Sequence, residues 1–244
     1  MSVHRDSVEY WKQQTAEGKA VPRQEVYLDY LDRLAIEPGM TLLDVGVGFG
    51  RFLPDYARRG AKIYGIDIDP NMLESARAEH GQQCEELKVA PAEDTGFADG
   101  QFDRVVCWAV FDELQQAQAL LEISRVLAPG GLAVLTGKNA EYELDDEEAY
   151  AAEKGCRAKN HPNHFTRYRE IDLAAFGLEP VVQRFFRYRG DFATHQFSEQ
   201  MPPRFYEYLA ILRKVGPAGY TPRDVPSIAE TYSRTFAQRQ GQGE

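Results

Sequence analysis

Residues 42–59 constrain the fold more than any other stretch. A short apolar run, Leu42-Leu43-Asp44-Val45, passes directly into Gly46-Val47-Gly48-Phe49-Gly50 and then into helix-spaced residues from Arg51 to Arg59, ended by Gly60. A glycine-rich turn between a strand and a helix lets a ligand approach the backbone closely. The free N–H groups that open the helix favour a carboxylate or phosphate. A single strand must find partners, and the following residues supply them. Strands are expected at Lys62–Ile66, near Leu87–Ala90, at Phe102–Trp108 and at Leu132–Thr136. Between them lie a helix from Pro70 to His80, with proline at a permitted first-turn position, a helix from Leu114 to Leu127, and a Pro129-Gly130-Gly131 turn. Short apolar strands alternating with helices imply a doubly wound α/β fold, a mostly parallel sheet with helices on both faces.

The flanking segments read differently. Residues 7–34 are expected to form an N-terminal helical cover over positions 1–37, since Val26, Tyr27, Tyr30, Leu31 and Leu34 recur at helical spacing before Pro38-Gly39. After Lys138 an acidic run, Glu141 to Glu148, and a basic stretch, Lys154 to Arg169, mark an insertion over 139–168 that would close over a substrate as a lid. A short helix at Arg169–Phe176, a strand at Glu179–Tyr188 and a last strand at Phe205–Leu212 complete the main unit, 38–216. The tail, 217–244, is expected to be helical over Ile228–Gln238.

Composition removes several classes of function. With 38 acidic and 28 basic residues the formal charge is -10, which opposes binding to nucleic acid or to an anionic membrane. No stretch reaches the roughly 18 to 20 apolar residues of a membrane span, and the start of the chain carries no apolar leader. The three cysteines, Cys84, Cys107 and Cys156, show neither disulfide framework nor metal-ligand spacing. A cytoplasmic protein without a metal is expected.

Asp67 stands about 20 residues past the glycines at the end of the second strand, where a carboxylate can accept both hydroxyl protons of an adenosine ribose. The alternative is a tight turn with Asp67 merely capping the next helix. A dinucleotide would require a third glycine at position 51, where this chain has Arg51.

Four blocks then carry a family resemblance: Leu43-Asp44-Val45-Gly46-Val47-Gly48-Phe49-Gly50-Arg51, Gly65-Ile66-Asp67-Ile68-Asp69, Phe97-Ala98-Asp99-Gly100-Gln101-Phe102-Asp103, and Arg125-Val126-Leu127-Ala128-Pro129-Gly130-Gly131. In this order the chain resembles the class I S-adenosylmethionine-dependent methyltransferases over roughly Pro38 to Gly137. The resemblance implies a seven-stranded sheet with an antiparallel last strand, and S-adenosyl-L-methionine as cofactor with S-adenosyl-L-homocysteine as product. It also implies that Asp44 and the Gly46, Gly48 and Gly50 backbone hold the methionine part, that Asp67 binds the ribose, and that Ile68 packs on the adenine. Ala92 and Glu93 would meet the adenine edge, and Cys107 and Trp108 would face the methyl group.

Methyl transfer from a sulfonium is an in-line displacement, so a protein must align the acceptor, exclude water and remove a proton where needed. Candidates on the acceptor side are Tyr10 and Trp11, His161 and His164 flanking Pro162, and the segment Arg184-Phe185-Phe186-Arg187-Tyr188-Arg189. Glu113 and His164 are the candidate proton acceptors, with Tyr10, Trp11, His161 and Arg187 as substrate contacts. Glu113 could equally serve as a helix N-terminal carboxylate, the histidines as packing or surface residues, and the arginines as partners of the acidic run. The favoured acceptor is a small metabolite, sugar or natural product, anionic if the arginines face it. A protein or RNA methyltransferase, an NAD-dependent oxidoreductase and a non-catalytic binding protein are the rival readings.

Overall fold

The computed structural model describes residues 8–9, 12–13, 24–158 and 163–241. Tyr10, Trp11 and His161 lie outside the described residues. Seven strands form one sheet: β1 (Thr41–Val45), β2 (Lys62–Asp67), β3 (Cys84–Val89), β4 (Phe102–Cys107), β5 (Leu127–Lys138), β7 (Leu178–Phe186) and β8 (Glu207–Lys214). Their spatial order is β3-β2-β1-β4-β5-β8-β7. The pairs β1–β2, β2–β3, β1–β4 and β4–β5 are parallel, whereas β8 runs antiparallel to both β5 and β7. The antiparallel strand expected last in the chain is therefore present, wedged inside the sheet rather than at its edge.

Both faces of the sheet are covered because the strands are apolar on both sides. Along β4, Val105 and Cys107 join Leu43, Val45 and Leu120 in one buried cluster. Val106 and Trp108 alternate to the other face, with Leu42, Ile63, Leu53 and Leu31. The first complete helix, α1 (Gln24–Arg33), turns Tyr27, Tyr30 and Leu31 into that second cluster. Full burial of a leucine such as Leu31 contributes roughly 1.5–3 kcal/mol. Further helices are α2 (Leu53–Arg58), α3 (Pro70–His80) and α4 (Gln116–Val126).

Several elements depart from the sequence reading. Strand β5 begins at Leu127 and carries Pro129-Gly130-Gly131 within it: Phe102 faces Leu127, but Arg104 already faces Leu132, so β5 bulges outward there instead of turning. The stretch read as a helix at Arg169–Phe176 is two 3-10 turns, Tyr168–Glu170 and Leu173–Phe176, split at Asp172, whose side chain caps the second. The insertion contains a helix, α5 (Glu147–Ala158), capped where Asp146 accepts from the Ala149 N–H at 2.9 Å. It also holds a two-residue strand, β6 (Phe165–Thr166).

The tail is also different. Residues expected to start a helix at Ile228 instead pair as β9 (Ala229–Glu230) with β6, and the helix, α7 (Arg234–Gly241), begins where Ser233 Oγ accepts from the Phe236 N–H at 2.9 Å. A four-residue helix, α6 (Asp191–Thr194), precedes β8.

Insertion and tail are built as one body. Glu153, 2% exposed, accepts from Tyr142 Oη at 2.9 Å, the Ser233 N–H at 3.0 Å and Ser233 Oγ at 2.6 Å, and pairs with Arg157. The Arg157 guanidinium lies over the rings of Tyr232 and Phe236 at 3.3 and 3.7 Å. The acidic run is answered by arginines: Glu143 pairs with Arg187 at 2.6 Å, Glu147 with Arg239 at 2.9 Å, and Glu141 with Arg234 at 3.6 Å. No helix among the described residues is long and apolar enough to cross a membrane.

Candidate functional site

The strand order reverses between β1 and β4, and ligands of doubly wound sheets bind in the crevice outside the carboxyl ends of strands at such a point. The glycine-rich turn leaves β1 here. Gly46, Gly48 and Gly50 all have positive φ, +73°, +56° and +86°. A Cβ on Gly46 would meet Val110 at 2.6 Å, so that glycine is required by close packing; one on Gly48 would meet nothing within 4 Å and would project into open space. Gly48 is thus bare backbone facing open space.

Asp67, at the end of β2, meets the turn directly. Its Oδ2 accepts from the Gly48 N–H at 2.8 Å and its Oδ1 from the Asp69 N–H at 2.9 Å. The helix-capping alternative falls to its neighbour, because Asp69 accepts from the Asn71 N–H at 2.8 Å and opens α3. Asp67 is left as a braced carboxylate with unused lone pairs, its pKa raised by burial. Ile68, beside it, is 75% exposed, and Val89, the β3 partner of Asp67, is 53% exposed. Two bare aliphatic side chains at adjoining strand ends form an apolar ledge. The sequence reading found Ile68 and missed Val89, whose only signal was its register with Asp67.

Ala92 and Glu93 lie on the loop after β3. Ala92 is buried, and Glu93 Oε1 accepts from the Gln115 N–H at 2.7 Å, which ties this loop to the start of α4.

Beneath the turn, Asp44 is buried beside Tyr56, whose hydroxyl it accepts, and Tyr27 Oη donates to Tyr56 Oη at 2.9 Å. Burial and the nearby Asp67 push Asp44 up to about 7. At the end of β4, burial raises the Cys107 thiol, helped by Asp44 and Asp112, so it remains a neutral packing group. Trp108 is held among Tyr27, Phe52 and Phe192, at 4.8, 6.3 and 5.7 Å between ring centroids. Its Nε1 is buried with no hydrogen-bond partner among the described residues. Ala109 follows with φ +57°, a left-handed conformation costly for alanine, its N–H donating to Thr136 Oγ1 at 2.9 Å.

A polar cluster lies where β4 and β5 end. Lys138 pairs with the buried Asp112 and donates to Asn163 Oδ1 at 3.0 Å. The His164 N–H donates to the Asp112 carbonyl at 2.6 Å, and Gln116 Nε2 to the His164 carbonyl at 3.2 Å. The half-buried His164 is thereby fastened to the loop that carries Glu113. Desolvation and the charge of Asp112 push Glu113 up to about 7, with Asp67 also acting on it. Glu207, opposite Lys138 in the β5–β8 ladder, is pushed up to about 7 by burial, Lys138 pulling the other way.

Asp44, Gly46, Gly48, Gly50, Asp67, Ile68, Cys107 and Trp108 are thus gathered at the ends of β1, β2 and β4, with Glu113 and His164 at the adjoining β4–β5 corner. Arg187 is exposed and engaged by Glu143 on the insertion. The alternation expected through Arg189 ends at Phe186, after which the chain turns through Gly190 (φ +95°). No group of three or more His, Cys, Asp or Glu among the described residues is placed to hold a metal ion.

Comparison with known proteins fits this geometry. Residues 43–135 match the profile of a family described as "Methyltransferase domain". The chain is 32% identical over 133 residues to methyltransferase GfsG of Streptomyces halstedii, covering 51% of this chain and 47% of that protein. It is 32% identical over 155 residues to a ubiquinone biosynthesis O-methyltransferase of Xanthomonas oryzae, covering 60% of this chain and 64% of the relative. The chain therefore spans about half to under two thirds of the length of these relatives. The crystal structure of an S-adenosylmethionine-dependent methyltransferase from Mesorhizobium loti superposes with a TM-score of 0.60 at 18% identity, covering 77% of this chain and 97% of that one. That likeness establishes the fold.

Proposed function

We propose that the chain is a class I S-adenosylmethionine-dependent methyltransferase that transfers a methyl group from S-adenosyl-L-methionine to an oxygen or nitrogen of a small-molecule acceptor, a reading supported by the match of residues 43–135 to a methyltransferase domain. The observation that carries this reading is the meeting of the glycine turn and Asp67 at the β1–β2 ends, with open space beside Gly48. Trp108 Nε1, without a hydrogen-bond partner among the described residues, and the exposed Ile68 are further groups that a ligand would satisfy. When bound, the sulfonium supplies an electrophilic methyl carbon.

The chain's own residues divide the remaining work. Asp67, already braced by two backbone N–H groups, accepts from the ribose hydroxyls. Ile68 covers the adenine face, Ala92 offers its N–H to the ring edge, and the second oxygen of Glu93 accepts from the adenine amino group. Cys107 and Trp108 wall the reacting carbon with apolar surface and keep water away. The acceptor lies towards Glu113 and His164, under residues 139–168 acting as a lid. With an affinity for protons near neutrality, Glu113 would take the proton that the acceptor gives up on methylation. Arg187 would attract an anionic acceptor only after leaving Glu143.

Titration calorimetry with S-adenosyl-L-homocysteine beside NAD tests the reading. Micromolar binding of S-adenosyl-L-homocysteine alone is expected; binding of NAD instead, or of neither, would overturn it. Label from the methyl donor should then enter the low-mass fraction of a cell extract, and incorporation into protein or RNA would refute the small-molecule assignment.

A further inference from the structure

We propose that Arg51 is the receptor for the carboxylate at the amino-acid end of the cofactor, an inference that rests on the cofactor reading above. Arg51 directly follows Gly50 and stands two residues before α2. Its Nη1 is buried and finds no hydrogen-bond partner among the described residues. The acidic side chain nearest in sequence, Asp55, is engaged by Arg58 instead.

Burial makes an unanswered guanidinium costly. It lowers the pKa of Arg51, with Tyr27 and Asp55 pulling the other way, but an arginine remains a cation at neutral pH. A buried donor of this kind beside Phe52 and Tyr27 gains by binding an anion. The guanidinium is also held in place. It lies over the Phe52 ring at 5.0 Å from the centroid, and Phe52 stacks on Tyr27 at 3.8 Å with 21° between planes. Tyr27 in turn donates to Tyr56 beneath the turn.

The anion follows from chemistry. A planar fork of N–H donors matches a carboxylate with two parallel hydrogen bonds, and the cofactor implied by the turn carries one carboxylate, at its amino-acid end. The same position would have to be glycine for a pyrophosphate to pack against the helix start. One residue therefore both disfavours the dinucleotide and supplies the group that a carboxylate needs.

The test compares two ligands on three proteins. Wild type, Arg51→Met and Arg51→Lys are titrated calorimetrically with S-adenosyl-L-homocysteine and with 5′-methylthioadenosine, which has the adenosine and sulfur but no amino-acid carboxylate. Arg51→Met should weaken S-adenosyl-L-homocysteine by about 10- to 100-fold, the loss of a charge-assisted contact. It should leave 5′-methylthioadenosine within about twofold, and Arg51→Lys should recover part of the difference. Equal binding of S-adenosyl-L-homocysteine by Arg51→Met and wild type would overturn the inference. So would an equal loss for both ligands, the mark of a purely structural residue. Wild-type protein that binds neither ligand would overturn the cofactor reading itself, and the role of Arg51 with it.

Discussion

Gly48 and Asp67 are joined by a 2.8 Å hydrogen bond from backbone N–H to carboxylate, linking the turn after β1 to the end of β2 across the mouth of the crevice. Asp67 thus shapes the turn that it adjoins. Asp67→Ala should weaken S-adenosyl-L-homocysteine binding by roughly 1.5–3 kcal/mol, the usual worth of hydrogen bonds to a charged group. Titration calorimetry checks this, and an unchanged affinity would remove Asp67 from the site.

Gly48→Val places a side chain in the open space beside the turn at φ +56°. The folded state should lose only about 1–2 kcal/mol, the cost of one left-handed non-glycine residue, while cofactor binding disappears. Urea unfolding run beside calorimetry separates the two effects; normal binding by this variant would refute the close approach of ligand to backbone.

Glu207 gives the chain a pH dependence with a definite sign. Its pKa is raised in the fold, to about 7 against 4.5 for the free side chain, so the folded state binds the proton more tightly than the unfolded one. Stability from this group is greatest at low pH and declines as pH rises through the window between those values. Asp44 and Glu113, also raised to about 7, act in the same direction. Glu207→Gln should therefore melt higher than wild type at pH 8, with a smaller gain or none at pH 5. A stabilisation independent of pH would show that the wild-type carboxyl is not the titrating group.

Glu153 is the pin between insertion and tail. Glu153→Ala strands Arg157 and the Ser233 N–H in a buried site and should cost about 3–5 kcal/mol, the usual penalty for breaking a buried pair on one side. The damage should concentrate in residues 139–168 and 227–241. Hydrogen exchange should speed up there and remain slow in β1 to β5, with S-adenosyl-L-homocysteine affinity retained. Uniform loss of protection would mean that cap and sheet unfold as one unit.

The cofactor half was legible because its signals are local. An apolar strand, glycines needing positive φ and an aspartate at the next strand end are each visible within a few residues, and the geometry of Gly46, Gly48 and Asp67 follows from them. The acceptor half was not. Lys138 meets Asp112 across 26 residues and Asn163 across 25, and Ser233 meets Glu153 across 80, so no periodicity marks these contacts. The tail failed as a helix assignment for the same reason: Ala229 and Glu230 have no strand pattern of their own and pair because β6 offers them an edge. Val89 was missed because its exposure depends on register with Asp67, not on its neighbours in sequence.

The reach of the tail back to Tyr142 has a consequence for synthesis. Thr235 Oγ1 both receives the Tyr142 N–H and donates to its carbonyl, 93 positions upstream. A nascent chain that has cleared the ribosome through residue 214 already contains all seven strands of the large sheet and can dock α1 to α4 upon them. The polar underside of the insertion, with the Glu153 carboxylate at its centre, must wait for some twenty further residues to emerge. The contacts of Tyr142 and Glu153 with the tail can therefore form only after every strand of the large sheet has been synthesised.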